Sequence, residues 1–416
     1  MFASIAKRTA AKGLQTALGL SAPRASWTQV SMAAPALQRV LAGLTLNSSR
    51  ALSSGASDSQ ALSAAAVKKL REHTGAPMME CKKALAALLA DPNITDKSEA
   101  SLMQHAVEYL RRRGTVLAQK NAGRSAKEGV VVVAVDKNSK KGAMVEVNCE
   151  TDFVSRNSTF LKFALRSALA SLDNIGEIEG SVDNTSNASE MNIDVLANSQ
   201  IANGSNSIST ELIDVITNTR ENVKLRRGSI VSLPPDTQGF IASYVHNEIP
   251  IPDEIKGVVE AAEKQGRSVY AGGAGCLAAV AVEDASKVDD ELEALGRKIA
   301  MQAVAARPQY LHRENVPKEI IDKELSIVTA QTDLSSKSEK ARAAILNGKL
   351  EKFYEEFVLV DQLFLVTNES KKPKVSQLLA QHPAKPKIIK FARLQRGEGA
   401  EVAEAAEAEA QATSNQ

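Results

Sequence analysis

The sequence predicts an α+β protein, and three observations carry that prediction. Apolar residues recur at helical spacing between Val67 and Leu110. The period then changes to two across Gly129–Cys149, where two β-branched runs flank a polar turn. Beyond that hairpin, strand candidates and amphipathic helices follow one another again. At 416 residues the chain is too long for one ordinary core, so several domains are expected.

Composition narrows the function classes. Apolar residues are 44% and charged residues 24%, as in globular proteins. A net charge of +2 and 4% aromatics argue against a strongly basic nucleic-acid binder and against base-stacking platforms. Cys81, Cys149 and Cys276 are widely separated and odd in number, which suits a reducing compartment. No run is long and apolar enough to span a bilayer.

Residues 1–57 contain no Asp or Glu, while Lys7, Arg8, Lys12, Arg24, Arg39 and Arg50 are spread through an Ala/Ser/Leu background. This is the pattern of an organellar transit peptide. Prominent arginines favour the mitochondrial matrix over a plastid, and Arg50–Ser54 resembles a matrix-protease site.

A first helix is expected from about Ser59–Leu62, with Val67 and Leu70 on its apolar face. Gly75 suits its C-terminus and Pro77 the first turn of a second helix carrying Met78, Cys81, Leu85 and Leu88. A third runs over Glu99–Arg113 and ends at Gly114; Lys120–Lys127 reads as a linker. Three short helices make a small bundle with little core, suited to docking more than to catalysis. The hairpin pairs Gly129–Val135 with Ala143–Cys149 across the turn 136–142. A polar turn containing Phe153 follows, then a helix with Phe160, Phe163, Ala164, Leu165, Ala168 and Leu169. Residues 174–210, rich in Asn, Ser and Gly, read as an exposed loop or disordered insert.

A second α+β block has strand candidates at Ser229–Leu233, Phe240–Val245 and Cys276–Val282, with His246–Gly275 as a loop insertion. Ser286–Ala306 is an amphipathic helix closed by Pro308. Pro317–Thr332 and Lys337–Phe357 form a helical hairpin. Val375–His382 is a short helix, Lys387–Leu394 a last strand, and Gly397–Gln416 a frayed tail.

No catalytic signature is present: there is no phosphate loop, no GxSxG elbow and no HExxH. His73, His105, His246, His312 and His382 lack metal-ligand spacing, and no metal site is expected. Gly272–Gly275 precedes a strand, not a helix, and is a weak phosphate signal. Arg111–Arg113 and Arg226–Arg227 read as solvated helix ends or turns. Periodicity alone leaves Phe153 open between core filler and a residue inserted into a partner.

Val67–Leu85 resembles the N-terminal signature of the elongation factor Ts family, and Glu146–Asn157, built around Thr-Asp-Phe-Val, resembles its second signature. Weaker matches follow in the family's order at Glu221–Arg227, Ile299–Pro308, Lys390–Arg393 and Gly397–Gly399. With the leader, the resemblance is to the mitochondrial type. It implies a three-helix, UBA-like N-terminal module, a core of two α+β subdomains with antiparallel sheets, and an inserted helical hairpin. In this sequence these would be 58–119, 120–235 with 236–312 and 362–396, and 313–361, followed by a flexible tail over 397–416.

The resemblance also implies a function. Family members are guanine-nucleotide exchange factors for elongation factor Tu, binding its GDP-bound and nucleotide-free forms; they are not enzymes and need no cofactor. In the family the Asp and Phe of Thr-Asp-Phe-Val intrude on the partner's Mg²⁺ and phosphate site. Carried over, these are Asp152 and Phe153, framed by Thr151 and Val154. In the N-terminal module Met78, Met79, Cys81, Lys82 and Lys83 would serve the partner contact, with Met79, Cys81 or Leu85 in the core and Lys82 or Lys83 facing the partner. His246 falls where the family has a strand end that approaches the partner. No direct nucleic-acid or membrane contact is implied, and self-association through the hairpin stays open. Pro77 in place of a usual Gly, and the enlarged connection Asp91–Ser98, depart from bacterial patterns. Two other readings remain: a binding module without exchange activity, and an organellar ribosome- or RNA-associated protein.

Overall fold

The computed structural model describes residues 63–400 apart from 139, 184, 187, 332–337 and 368–371. The expected leader 1–57 and the tail beyond residue 400 lie outside the described residues.

The fold is α+β. Three helices form the N-terminal module: α1 (Ala64–Thr74), α2 (Met78–Ala90) and α3 (Glu99–Asn121). Gly75 ends α1 in the left-handed region at φ 70°, and its N–H donates to the Arg71 carbonyl. Val67, Leu70, Cys81, Ala84, Leu85, Leu88, Leu102, Ala106 and Leu110 make the module's own small core. The third helix does not stop at Gly114, as expected, but runs two turns further into the supposed linker. The reason is packing. Gly114 faces the later helix Ile208–Thr219, and a Cβ there would lie 2.4 Å from Thr217 Oγ1 and 2.7 Å from Ile213 Cγ2. The glycine permits a close helix crossing instead of ending a helix.

The core follows. The hairpin is β1 (Glu128–Asp136) and β2 (Lys141–Cys149), antiparallel in register from Glu128↔Cys149 to Asp136↔Lys141. After it come α4 (Asp152–Ser155), α5 (Ser158–Asp173), α6 (Ile175–Ile178), β3 (Glu179–Val182), β4 (Ser189–Met191), α7 (Ile193–Asn198), α8 (Ile208–Thr219) and β5 (Lys224–Ser232). Residues 174–210 are therefore not a loop or disordered insert among the described residues. Ile178, Leu196, Ile201 and Ile208 are buried in the main core. Their polar neighbours cap short elements: Asn192 accepts from the Val195 N–H and Ser207 from the Thr210 N–H.

The remaining elements are β6 (Gln238–His246), α9 (Lys256–Glu263), β7 (Arg267–Gly272), β8 (Ala274–Val282), α10 (Asp290–Ala306), α11 (Lys318–Gln331), α12 (Glu339–Phe357), α13 (Val375–Gln381) and β9 (Lys387–Gln395). The segment expected as a loop between His246 and Gly275 holds α9 and β7. Strand β7 pairs antiparallel with β1, from Val131↔Gly272 to Asp136↔Arg267. The larger sheet has the order β3-β4-β5-β2-β1-β7 and the smaller β6-β8-β9.

The layers run α5, larger sheet, smaller sheet, α10. Val130, Val132 and Ala134 of β1 face the α5 side, while Val131, Val133 and Val135 pack with Leu277 and Ala279 of β8. Burial on both faces explains why β1 is a continuous β-branched run without polar alternation. On the far side of the smaller sheet, Ile299, Ala300 and Ala303 of α10 pack on Cys276, Ala278 and Val280. The helical hairpin α11–α12 is rooted by Tyr310, Val316, Tyr354 and Val358. At that root Arg313 bridges Glu351 and Asp361, at 2.7 Å from each, and stacks 4.6 Å from the Tyr354 ring centroid. Among the described residues no helix is long and apolar enough to cross a membrane.

Candidate partner-contact site

The turn after β2 is a single helical turn whose residues divide sharply between core and solvent. Phe153 is 84% exposed, Asp152 is exposed, Val154 packs partly on the main core, and Ser155 is buried. A phenyl ring left in water forgoes roughly 1.5–3 kcal/mol of burial, so nothing in the free chain holds it out by attraction. The backbone holds it. Thr151 is the N-cap, its Oγ1 accepting from the Val154 N–H at 3.4 Å. Ser155 Oγ donates to the Asp152 carbonyl at 2.7 Å. The Cys149 thiol donates to the Thr151 carbonyl at 3.2 Å. That thiol is pushed up to about 12, chiefly by burial and further by the carboxylates of Glu221 and Glu128, so it stays a donor at neutral pH.

A second set of contacts comes from the segment before β5. Glu221 accepts from the Glu150 N–H and the Thr151 N–H, both at 3.0 Å, through Oε2, and from Thr151 Oγ1 at 2.6 Å through Oε1. In return, Glu150 Oε1 accepts from the Asn222 N–H at 2.6 Å. In the sequence Glu221 opens the segment Glu221–Arg227 and carries no signal of this role. Its partners lie some 70 positions away and only the fold brings them together.

In the N-terminal module the residues singled out divide by face. Met78 is 42% and Met79 58% exposed, which places Met79 on the surface and not in the core. Helix geometry is the reason: Cys81, Ala84, Leu85 and Leu88 form the buried stripe, and Met79 lies off it. Cys81 is fully buried and presents nothing to a partner; it shapes the helix from within. Lys82 and Lys83 are exposed, and Lys83 Nζ lies 3.3 Å from Glu80 Oε1.

His246 is exposed at the end of β6, its Nδ1 3.3 Å from Tyr244 Oη. It lines an open groove of about 1340 Å³ together with Arg156, Met301, Arg307, Leu365 and Arg396, so the strand end and the edge of the Phe153 turn border one surface. Leu363 and Leu365 are exposed beside α10, and the sequence does not mark them because single leucines in an irregular stretch carry no periodic signal. Arg226 and Arg227 are not solvated turn residues: Arg226 Nη1 and Arg227 Nε meet the fully buried Glu146 at 3.1 Å and 2.6 Å. The start of the expected tail is likewise pinned, the Gly397 N–H donating to Glu146 Oε1 at 2.7 Å and Ala400 being buried. Among the described residues no cluster of His, Cys, Asp and Glu could hold a metal ion.

The arrangement presents an apolar side chain, with a carboxylate beside it, on a turn braced by hydrogen bonds. Comparison with known proteins identifies relatives in sequence. A family profile described as "Elongation factor TS" matches residues 150–398, a span that begins at this turn. The elongation factor Ts of Rhodospirillum rubrum is 34% identical over 343 residues, covering 82% of this chain and 94% of its own length. That of Aquifex aeolicus is 32% identical over 331 residues, covering 80% and 96%. That of Clostridium acetobutylicum is 33% identical over 344 residues, covering 82% and 94%.

Proposed function

The chain belongs to the elongation factor Ts family, a family of translation elongation factors, and we propose that it is a guanine-nucleotide exchange factor for elongation factor Tu. The observation that carries this reading is Phe153, 84% exposed on a turn braced from below. An exchange factor must bind the nucleotide-free partner more tightly than the loaded one, and by linkage GDP and the exchange factor weaken each other's binding to that partner by the same ratio. A phenyl ring that finds an apolar cleft only in the displaced conformation of the partner supplies such a difference. Burying it is worth roughly 1.5–3 kcal/mol, or about 10- to 150-fold in the equilibrium.

Asp152, beside the ring, directs a carboxylate toward the elements that hold the partner's Mg²⁺. With those elements moved, phosphate charge is poorly compensated and GDP leaves. Met78, Met79, Lys82 and Lys83 would dock the N-terminal module on the partner's nucleotide domain, and His246 would touch a second part of it. The chain itself performs no bond chemistry in this account. Its acid-free residues 1–57 support a mitochondrial matrix location.

The direct test is release of labelled GDP from mitochondrial elongation factor Tu. The expected outcome is acceleration that rises with factor concentration to a plateau. A stable 1:1 complex with no acceleration identifies a holding module and contradicts exchange. Salt-dependent RNA binding without exchange would favour the RNA-associated reading.

A further inference from the structure

We propose that Glu221 is a positioning residue for exchange, and that the segment Arg220–Asn222 is a brace joining the Phe153 turn to the N-terminal module. The proposal rests on the reading of Thr151–Val154 as the intruding turn.

The turn cannot hold itself. A helix of four residues has no stability of its own, and its most exposed side chain, Phe153, gains little from the free chain. Beyond its own cap and hydroxyl bond, the turn is fixed from outside, and at its N-terminal edge Glu221 supplies the bonds. One carboxylate takes three hydrogen bonds, at 3.0, 3.0 and 2.6 Å, from two consecutive amides and a hydroxyl at the N-terminal edge of the turn. Charge-assisted bonds to backbone amides are the stronger kind.

The same segment reaches the other way. Asn222 is buried, and its Nδ2 donates to the carbonyls of Ala122 at 3.3 Å and Arg124 at 2.6 Å, just past the end of α3. Arg220 sits in the left-handed region at φ 62°, and its carbonyl accepts from Asn121 Nδ2 at 3.1 Å. Its guanidinium lies 3.5 Å from Glu80 Oε1 on α2, the helix that carries Met78, Met79 and Lys82. Both candidate contact surfaces are thus tied to one short segment, which sets the spacing between them. A factor that pushes one element of its partner while gripping another needs that spacing fixed. Small misplacement of an acting group costs rate far more than it costs binding.

The experiment uses the full chain as wild type, Glu221→Ala, Glu221→Gln, Phe153→Ala and the Glu221→Ala/Phe153→Ala double variant. Release of labelled GDP from elongation factor Tu is followed against factor concentration, giving a maximal rate and a half-saturating concentration. Amide hydrogen exchange of the free factor is followed over residues 150–155 and over β1 and β2. Glu221→Ala is expected to lower the maximal rate about 10-fold, with a smaller change in half-saturation. It should also speed amide exchange at 150–155 while β1 and β2 stay protected. Glu221→Gln, whose Oε1 can still accept from both amides, should stay within about 2-fold of wild type. The double variant should be no slower than Phe153→Ala alone, because both changes remove one action.

Three results overturn the proposal: a wild-type maximal rate for Glu221→Ala, penalties that multiply in the double variant, or lost protection throughout β1 and β2. A wild-type rate for Phe153→Ala overturns the underlying reading of the turn, and the proposal with it. A Phe153→Ala defect beside a normal Glu221→Ala overturns the positioning role alone.

Discussion

Glu146 and Arg227 meet across the β2–β5 pair, with Arg227 Nε 2.6 Å from a carboxylate that has no exposed surface. The register slips between Glu146 and Val147, opposite Arg226. Such a bulge lets neighbouring Arg226 and Arg227, which a regular strand would send to opposite faces, reach the same carboxylate. Gly397 adds its N–H, so Glu146 also secures the chain after β9. Glu146→Ala leaves two guanidinium groups and an amide without their acceptor. The expected cost is about 3–5 kcal/mol, seen as a lower urea midpoint at an unchanged slope. A midpoint within error of wild type would show that water replaces the carboxylate.

Gly114 sets two principles against each other. Alanine in mid-helix is favoured over glycine by about 1 kcal/mol. A Cβ at Gly114, however, would stand 2.4 Å from Thr217 Oγ1, and relieving such an overlap costs typically ~1–3 kcal/mol. Gly114→Ala should therefore lower the melting temperature, with faster amide exchange in α8. A rise in melting temperature would mean that the α3–α8 crossing yields without strain.

These positions show what the sequence made legible and what it hid. The β1–β2 hairpin was readable because β-branched residues bounded a polar turn within one short stretch. The helices α5 and α10 announced themselves by apolar spacing, and α11 and α12 as a helical hairpin. Gly114 misled because a close crossing and a helix end both call for glycine, and only the partner helix tells them apart. Residues 174–210 looked unstructured because Asn and Ser, which favour loops, here cap brief elements around scattered isoleucines. Strand β7 was hidden by its length and by a partner strand distant in sequence. At the site, exposure of Phe153 was one of two readings open to the sequence, while the service of Glu221 to Thr151 depends on folding.

Asp214, on α8, lines a cleft with Arg111 of α3 and Lys162 of α5. Burial pushes its carboxyl up to about 6 from 3.8; Arg111 opposes the shift and Glu211 adds to it. Between those values the folded chain holds a proton that the unfolded chain has lost. Stability from this group therefore falls as pH rises through the window, and the penalty is complete above it. Asp214→Asn should raise the melting temperature at pH 7.5 and leave it nearly unchanged near pH 4. An equal difference at both pH values would remove the titration from the account.

The central claim is that the exposed ring of Phe153 acts on the partner, and the maximal rate of GDP release from elongation factor Tu with Phe153→Ala tests it most directly. Because the ring lies outside the core, the variant should melt like wild type. Its maximal rate should fall about 10-fold or more, in line with the roughly 1.5–3 kcal/mol that the ring's burial supplies. Equal maximal rates for the variant and the wild type, at equal melting temperatures, would contradict the account.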